Sequence, residues 1–265
     1  MKHDGINANK VVVIGNGNLA WHLVKQLRSS SKLEVEVLGR RKSKALSRFK
    51  ELQCKTNTQF SKTDQNASAY FLCVNDDAIG TVSSQLDTIH PNALVIHCSG
   101  NKPIHELMNK TGRKAVFYPL QTFSQNAQMN WKEIPIFIEA SDRTTLIRLK
   151  KIALIFTKKI HTLSSEKRKH LHLCAVMVNN LVNGLFIAAD ELMRHKVKTV
   201  GFEVLMPLIR QTIDKLEVST PSSAQTGPAK RRDVKVMTEH QNLLGNDPSL
   251  KIVYKELSRY IIKKT

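Results

Sequence analysis

The chain has 265 residues, enough for one large domain or two modest ones, and 41% hydrophobic content supplies a real core. Cys54, Cys73, Cys98 and Cys174 are dispersed with no Cys-x-x-Cys pair, which excludes a zinc or disulfide framework and reads as four buried thiols. The formal net charge of +19 is spread along the chain and aromatic residues are only 6%, so nothing resembles the aromatic-interleaved basic stripe of a nucleic-acid binder.

Residues 1–10 hold no apolar segment of signal type, and no later run approaches the roughly 18 apolar residues that span a bilayer. The expectation is a cytoplasmic protein with no membrane partner. Val11, Val12, Val13 and Ile14 are too short and too branched a run for a helix and read as a buried strand. The run ends in Gly15-Asn16-Gly17-Asn18-Leu19-Ala20, a G-x-G-x-x-A pattern, and a helix-like stretch follows at 21–27. Gly15 permits the tight turn, Gly17 lets backbone approach a pyrophosphate, and Ala20 lets the helix pack close to the strand. The free N–H groups of the new helix, around Asn18 and Leu19, then point at the phosphates.

A second strand at 33–39 ends in Gly39-Arg40-Arg41-Lys42-Ser43, where an NAD enzyme places a carboxylate on the ribose. No carboxylate is there. Arg40 and Arg41 suit a 2′-phosphate, because a guanidinium presents its donors as a planar fork, and Ser43 adds a hydroxyl. The expected cofactor is NADP, with a solvated basic turn as the competing explanation.

After a helix at 43–52, Tyr70 to Val74 is an apolar run fit for a central parallel strand, and Val74 and Asn75 end it at the edge where open α/β sheets bind ligands. A crossover helix at 78–86 leads to a strand at 93–97. His97 and Ser99 follow at the same edge, where the nicotinamide half of a dinucleotide would reach. Strands at 115–118 and 136–138 are weaker, and Tyr118, Gln121 and Thr122 offer polar groups between them. The expected fold class is α/β, a doubly wound Rossmann-type domain over 1–163 followed by an all-α domain over 164–265.

The period changes after Ser164. Residues 166–195 have no Pro and one Gly and are apolar on most of the circumference, which predicts a long buried helix. Helices at 202–216, kinked by Pro207, at 234–244 and from Asp247-Pro248 onward complete the half, with a polar loop over 219–233. At 100° per residue His172, Asn179 and Asn183 share a narrow arc, with Asn180 nearby. That stripe either faces a cleft, His172 exchanging a proton with substrate, or meets water, as Asp190 and Arg194 further along suggest. The catalytic candidates are therefore His172, Asn180, Asn183, His97 and Ser99, and the apolar girth of the long helix predicts a homodimer.

In order, the glycine turn, the Gly-Arg-Arg turn, Cys73-Val74-Asn75-Asp76-Asp77-Ala78-Ile79, His97-Cys98-Ser99-Gly100, Phe117-Tyr118-Pro119-Leu120-Gln121-Thr122-Phe123, the segment Leu171 to Asn180, Gln225-Thr226-Gly227-Pro228-Ala229 and Arg232-Asp233 resemble the bacterial Rossmann-like proteins with a helical domain of unknown function. The resemblance covers nearly the whole chain. It implies NADP binding and a dimeric reductase-like architecture, and more distantly it extends to pyrroline-5-carboxylate reductases, deazaflavin-dependent NADP oxidoreductases and hydroxyacid dehydrogenases. Hydroxyacid dehydrogenases carry a lysine four residues before the asparagine of this helix, but Val176 precedes Asn180 here. The implied activity is reduction of a small anionic C=O or C=N substrate. A non-catalytic NADP sensor is the alternative, and a polyanion binder is favoured by charge alone.

Overall fold

The computed structural model describes residues 6–29 and 33–265, so residues 1–5 of the N-terminal segment read above lie outside it. Two compact units divide the chain, Met1–Met177 and Val178–Thr265. In the first, strands β1 (Asn7–Ile14), β2 (Glu34–Leu38), β3 (Lys55–Asn57), β4 (Ala67–Leu72), β5 (Leu94–His97), β6 (Arg113–Pro119), β7 (Ile136–Ala140) and β8 (Ile160–Thr162) form one sheet in the order β3-β2-β1-β4-β5-β6-β7-β8. Every neighbouring pair is parallel except β6 and β7. The strand order reverses between β1 and β4, the switch point at which open sheets leave a ligand crevice.

Alternation along β1 builds both faces. Val11 and Val13 join one cluster with Leu23, Val24 and Leu27 of α1 (Asn18–Ser29), while Val12 and Ile14 join another with Ile79, Leu86 and Ile89. Burial on both sides explains why β1 and β4 read as continuous apolar runs. The helix expected over 43–52 is α2 (Lys44–Ser47) continued as a 3-10 turn, Arg48–Leu52, and the crossover helix is only α3 (Ile79–Ser83). Next comes α4 (Arg143–Ala153), capped by Asp142, whose carboxylate accepts the Thr145 N–H at 2.8 Å.

The long helix begins as α5 (Ser165–Val176) and the helical run extends to Val197. It is interrupted by π turns at Met177–Leu181 and Met193–Val197, on either side of α6 (Val182–Leu192). Two expectations are corrected here. The helix is not buried, since Leu173 is 56% and Val178 75% exposed. It is also long and apolar enough to cross a bilayer by length and composition, with a mean hydropathy of 1.6 over an 18-residue stretch, because its charges cluster at its two ends.

The second unit adds α7 (Met206–Val218), α8 (Pro221–Ala224), α9 (Val234–Leu243) and α10 (Pro248–Lys264). Pro207 does not kink a helix. It lies in the first turn of α7, where its missing N–H would have no intrahelical partner anyway. Of the four thiols, Cys54 and Cys98 are buried, Cys73 is half-buried and Cys174 is exposed, because it falls on the open side of α5.

Candidate functional site

The glycine turn folds as its residue types demand. Gly15 has φ +123°, and a Cβ there would lie 2.1 Å from the Cys73 carbonyl oxygen, so β4 can follow β1 closely only with glycine. Its N–H donates to Leu38 O at 2.8 Å. Around Gly17, by contrast, a Cβ would find nothing within 4 Å. That open space sits at the N-terminus of α1, whose first turn holds no acidic residue. An exposed glycine backbone beside unpaired helix N–H groups fits a dinucleotide pyrophosphate.

A residue absent from the sequence-based candidates holds this turn. Arg48 Nη2 donates to Asn16 O at 3.2 Å and Gly17 O at 3.1 Å, and its guanidinium stacks 4.8 Å from the Trp21 ring. Nothing in the sequence separates Arg48 from the other cations between Arg40 and Lys50. Asn16 Nδ2 also donates to Ser43 Oγ at 3.2 Å, which ties the glycine turn to the basic turn, and the same Ser43 oxygen caps α2 through Leu46 N–H. Arg40 and Arg41 are exposed directly after β2.

A cavity of about 440 Å³ opens beside the turn. Gly17, Asn18, Leu19, Val74 and Asn75 line it, as do Ser99 and His172. Gly15 and Asn16 form the turn without lining the cavity. Its remaining wall includes Cys73, Cys98, Gly100, Tyr118, Gln121 and Phe123. The thiols of Cys73 and Cys98 lie 4.0 Å apart on adjacent strand ends, and the hydrogen bond with Cys73, followed by burial, pushes the Cys98 pKa up. Asn18 Nδ2 donates to Phe123 O at 3.0 Å and His22 Nε2 meets Ser124 O at 2.8 Å, so α1 holds the loop after β6 over the cavity.

Opposite the glycine turn, Tyr118 Oη and His172 Nδ1 are 3.0 Å apart, with the rings edge to face. Gly100 makes this pair possible, because a Cβ there would lie 2.7 Å from both His172 Nδ1 and Tyr118 Cζ. One helical turn before His172, Arg168 is 1% exposed. Its Nη1 pairs with the Glu139 carboxylate of β7, and its Nη2 donates to Lys102 O at 2.6 Å. Ser165 Oγ donates to the same carboxylate at 2.7 Å and accepts the Ile104 N–H at 2.9 Å. This network fixes the start of α5 against β7 and the loop after β5, and so sets the height at which His172 meets Tyr118. Burial pushes the Tyr118 pKa up, opposed by the Arg168 charge.

Three of the catalytic candidates do not line the cavity. His97 is fully buried in β5 and does not line the cavity; its Nδ1 accepts the Ser99 N–H at 3.2 Å. Burial, and then the Arg168 guanidinium, push its pKa down to about 3, so it is a neutral structural ring at physiological pH. Asn180 and Asn183 are exposed residues of the second unit and are not in the cavity wall. The narrow arc that joined Asn183 to His172, with Asn180 nearby, assumed 100° per residue throughout, and the wider winding of the π turn at Met177–Leu181 does not keep that phase.

The mostly parallel sheet, the switch-point cavity and the glycine turn define a Rossmann-type nucleotide-binding fold with a helical C-terminal region. Residues 134–261 match the family model described as a domain of unknown function, DUF2520. Along nearly its full length the chain is similar to a Bacteroides fragilis protein named provisionally as an NADP oxidoreductase, at 33% identity, 97% of this chain and 98% of that one, with a TM-score of 0.88. The chain belongs to the DUF2520 family of Rossmann-type proteins. A Thermotoga maritima protein shares the fold at 22% identity (96% and 99% covered, TM-score 0.78). So does the 1-pyrroline-5-carboxylate reductase of Streptococcus pyogenes at 13% identity (97% and 98%, TM-score 0.62). No curated protein sequence matches the chain.

Proposed function

We propose that this protein is an NADP-dependent oxidoreductase that reduces a small anionic C=O or C=N substrate, working in the cytoplasm as a homodimer. One observation carries the reading. A single cavity joins a phosphate-binding glycine turn to a hydrogen-bonded tyrosine and histidine, so a nucleotide and an acid–base pair share one space. The name of the Bacteroides relative points the same way. In this reading Gly15 to Leu19 hold the pyrophosphate, Arg40 and Arg41 the 2′-phosphate, Val74 and Asn75 border the nicotinamide side, and Ser99 and His172 face the reacting centre. A bound NADPH supplies the hydride. The protein orients substrate and provides the proton.

The cofactor assignment rests on two exposed guanidinium groups. NADP is expected to bind more tightly than NAD in calorimetry, and replacing Arg40 and Arg41 together by alanine should erase most of that difference with little change for NAD. Each charge-assisted contact contributes roughly 1.5–3 kcal/mol, so the affinity ratio should move at least about tenfold. Equal wild-type affinity for both nucleotides would remove NADP from the proposal. A non-catalytic NADP sensor is the second reading, favoured by Val176 at the position of the dehydrogenase lysine; NADP binding without NADPH oxidation on any carbonyl or imine probe would establish it.

The homodimer follows from the open side of the long helix. Leu173 and Met177 in the first unit, and Val178, Leu181 and Ile187 in the second, are each more than half exposed. Apolar surface of this extent on a soluble protein marks an interface. Light scattering at micromolar concentration should give twice the chain mass of 30.0 kDa. A monomer would count against the dimer, and recovery of the protein with lipid vesicles would put a membrane in its place.

A further inference from the structure

The Tyr118–His172 pair has two openings. Its tyrosine side faces the nucleotide cavity, but His172 also lines a second pocket of about 400 Å³ with Asn101, Lys169, His170, Leu173 and Val176. His172 thus borders both spaces. Tyr118 is only 8% exposed, while Lys169 and His170 are exposed. The inner wall also holds Ser99, Asp76, Cys73 and Cys98, but Tyr118 is the wall group hydrogen-bonded to a ring that borders the second pocket. Ser99 Oγ is occupied as acceptor for the Asn101 and Lys102 N–H groups at 3.1 and 3.0 Å, and the Cys98 thiol lies buried against Cys73.

We propose that Tyr118 delivers the proton that completes the reduction and that His172 recharges it from the outer pocket. This rests on the reductase reading above and reverses the simpler assignment of His172 as the donor. The Tyr118 O–H bond breaks as its proton bonds to the substrate oxygen or nitrogen, which carries the electron pair released when the C=O or C=N bond is reduced. The phenolate then takes the Nδ1 proton of the His172 imidazolium across the 3.0 Å hydrogen bond. The ring is left neutral with its remaining proton on Nε2, and it regains the Nδ1 proton from a hydronium ion after turning toward the outer pocket. Burial keeps the tyrosine protonated between turnovers, which a donor requires. Gly100 and Arg168 are positioning residues in this scheme: one leaves room for the pair, the other sets its spacing.

Two measurements test the relay. The first is NMR of the His172 ring nitrogens in the wild type and Tyr118→Phe, with and without NADPH. The relay requires a hydrogen-bonded Nδ1 signal in the wild type that shifts on removal of the hydroxyl, and an unchanged signal overturns it whatever the enzyme does. The second is single-turnover NADPH oxidation on a panel of 2-oxo acids and cyclic imino acids. Tyr118→Phe should lower the rate about 100-fold with NADPH affinity within about twofold. His172→Ala should lower it less, and added imidazole should restore part of the loss. If His172→Ala is the more damaging change, His172 is the donor and the proposal is wrong. Should the wild type oxidise NADPH with none of these probes, the reductase reading fails, and the ring-nitrogen signals still decide whether the pair is coupled.

Discussion

Replacing Arg168 with alanine is expected to cost about 3–5 kcal/mol of stability, the range for breaking a buried ion pair from one side. The cost arises less from the lost attraction than from what stays behind. Glu139, with its side chain 18% exposed, keeps a carboxylate whose other neighbour is Ser165, and the Lys102 carbonyl loses a charged donor. A double variant, Arg168→Met with Glu139→Gln, should recover a large share, because an uncharged pair leaves no stranded ion. Denaturant melts of the three variants check this. A loss under about 1 kcal/mol for Arg168→Ala would show that the pair contributes no more than an exposed one.

Acid should destabilise the fold through one ring. His97 titrates near 6.5 in the unfolded chain but only at about 3 in the folded one. Between those values the unfolded state binds more protons, so stability rises with pH across this window. The contribution is complete above pH 6.5 and is lost as the pH falls toward 3, at about 1.4 kcal/mol per pH unit. From pH 6.5 to 5 the wild type should therefore lose roughly 2 kcal/mol more than His97→Asn, whose amide oxygen can still accept the Ser99 N–H. Parallel pH profiles for the two proteins would contradict this. Because Arg168 is the second cause of the depression, Arg168→Ala should raise the lower end of this window.

Local features of the sequence were the readable ones. The strand, glycine turn and helix at 11–29 are set by residues a few positions apart, and so is the cap at Asp247, whereas the helix capped by Asp142 went unread. Edge strands β3 and β8 escaped notice because three mostly polar residues carry no alternation that burial would enforce. In the site, His172 was legible as a polar residue on an apolar helix. Its partner was not, since pairing with Tyr118 depends on Gly100, 72 positions before the histidine. Arg168 sits in Glu166-Lys167-Arg168-Lys169, which reads as a solvated run until Glu139 is brought beside it. His97 misled for the opposite reason: a strand end suggested access, and the fold closed over it.

The antiparallel turn of β7 against β6 has a consequence for the order in which the molecule can be made. It keeps residues 120–135 at the ligand edge, where Phe123 and Ser124 accept hydrogen bonds from Asn18 and His22, and Ile155 accepts one from Gln26, across 102 to 129 positions of chain. On a ribosome adding about 5–20 residues per second, roughly 5–20 s separate synthesis of α1 from synthesis of the partners that hold it. During that interval the glycine turn has Arg48 and Ser43 beside it but lacks the later segments that α1 holds. A nascent chain released before Ile155 should have no nucleotide affinity, however complete its first strand and helix.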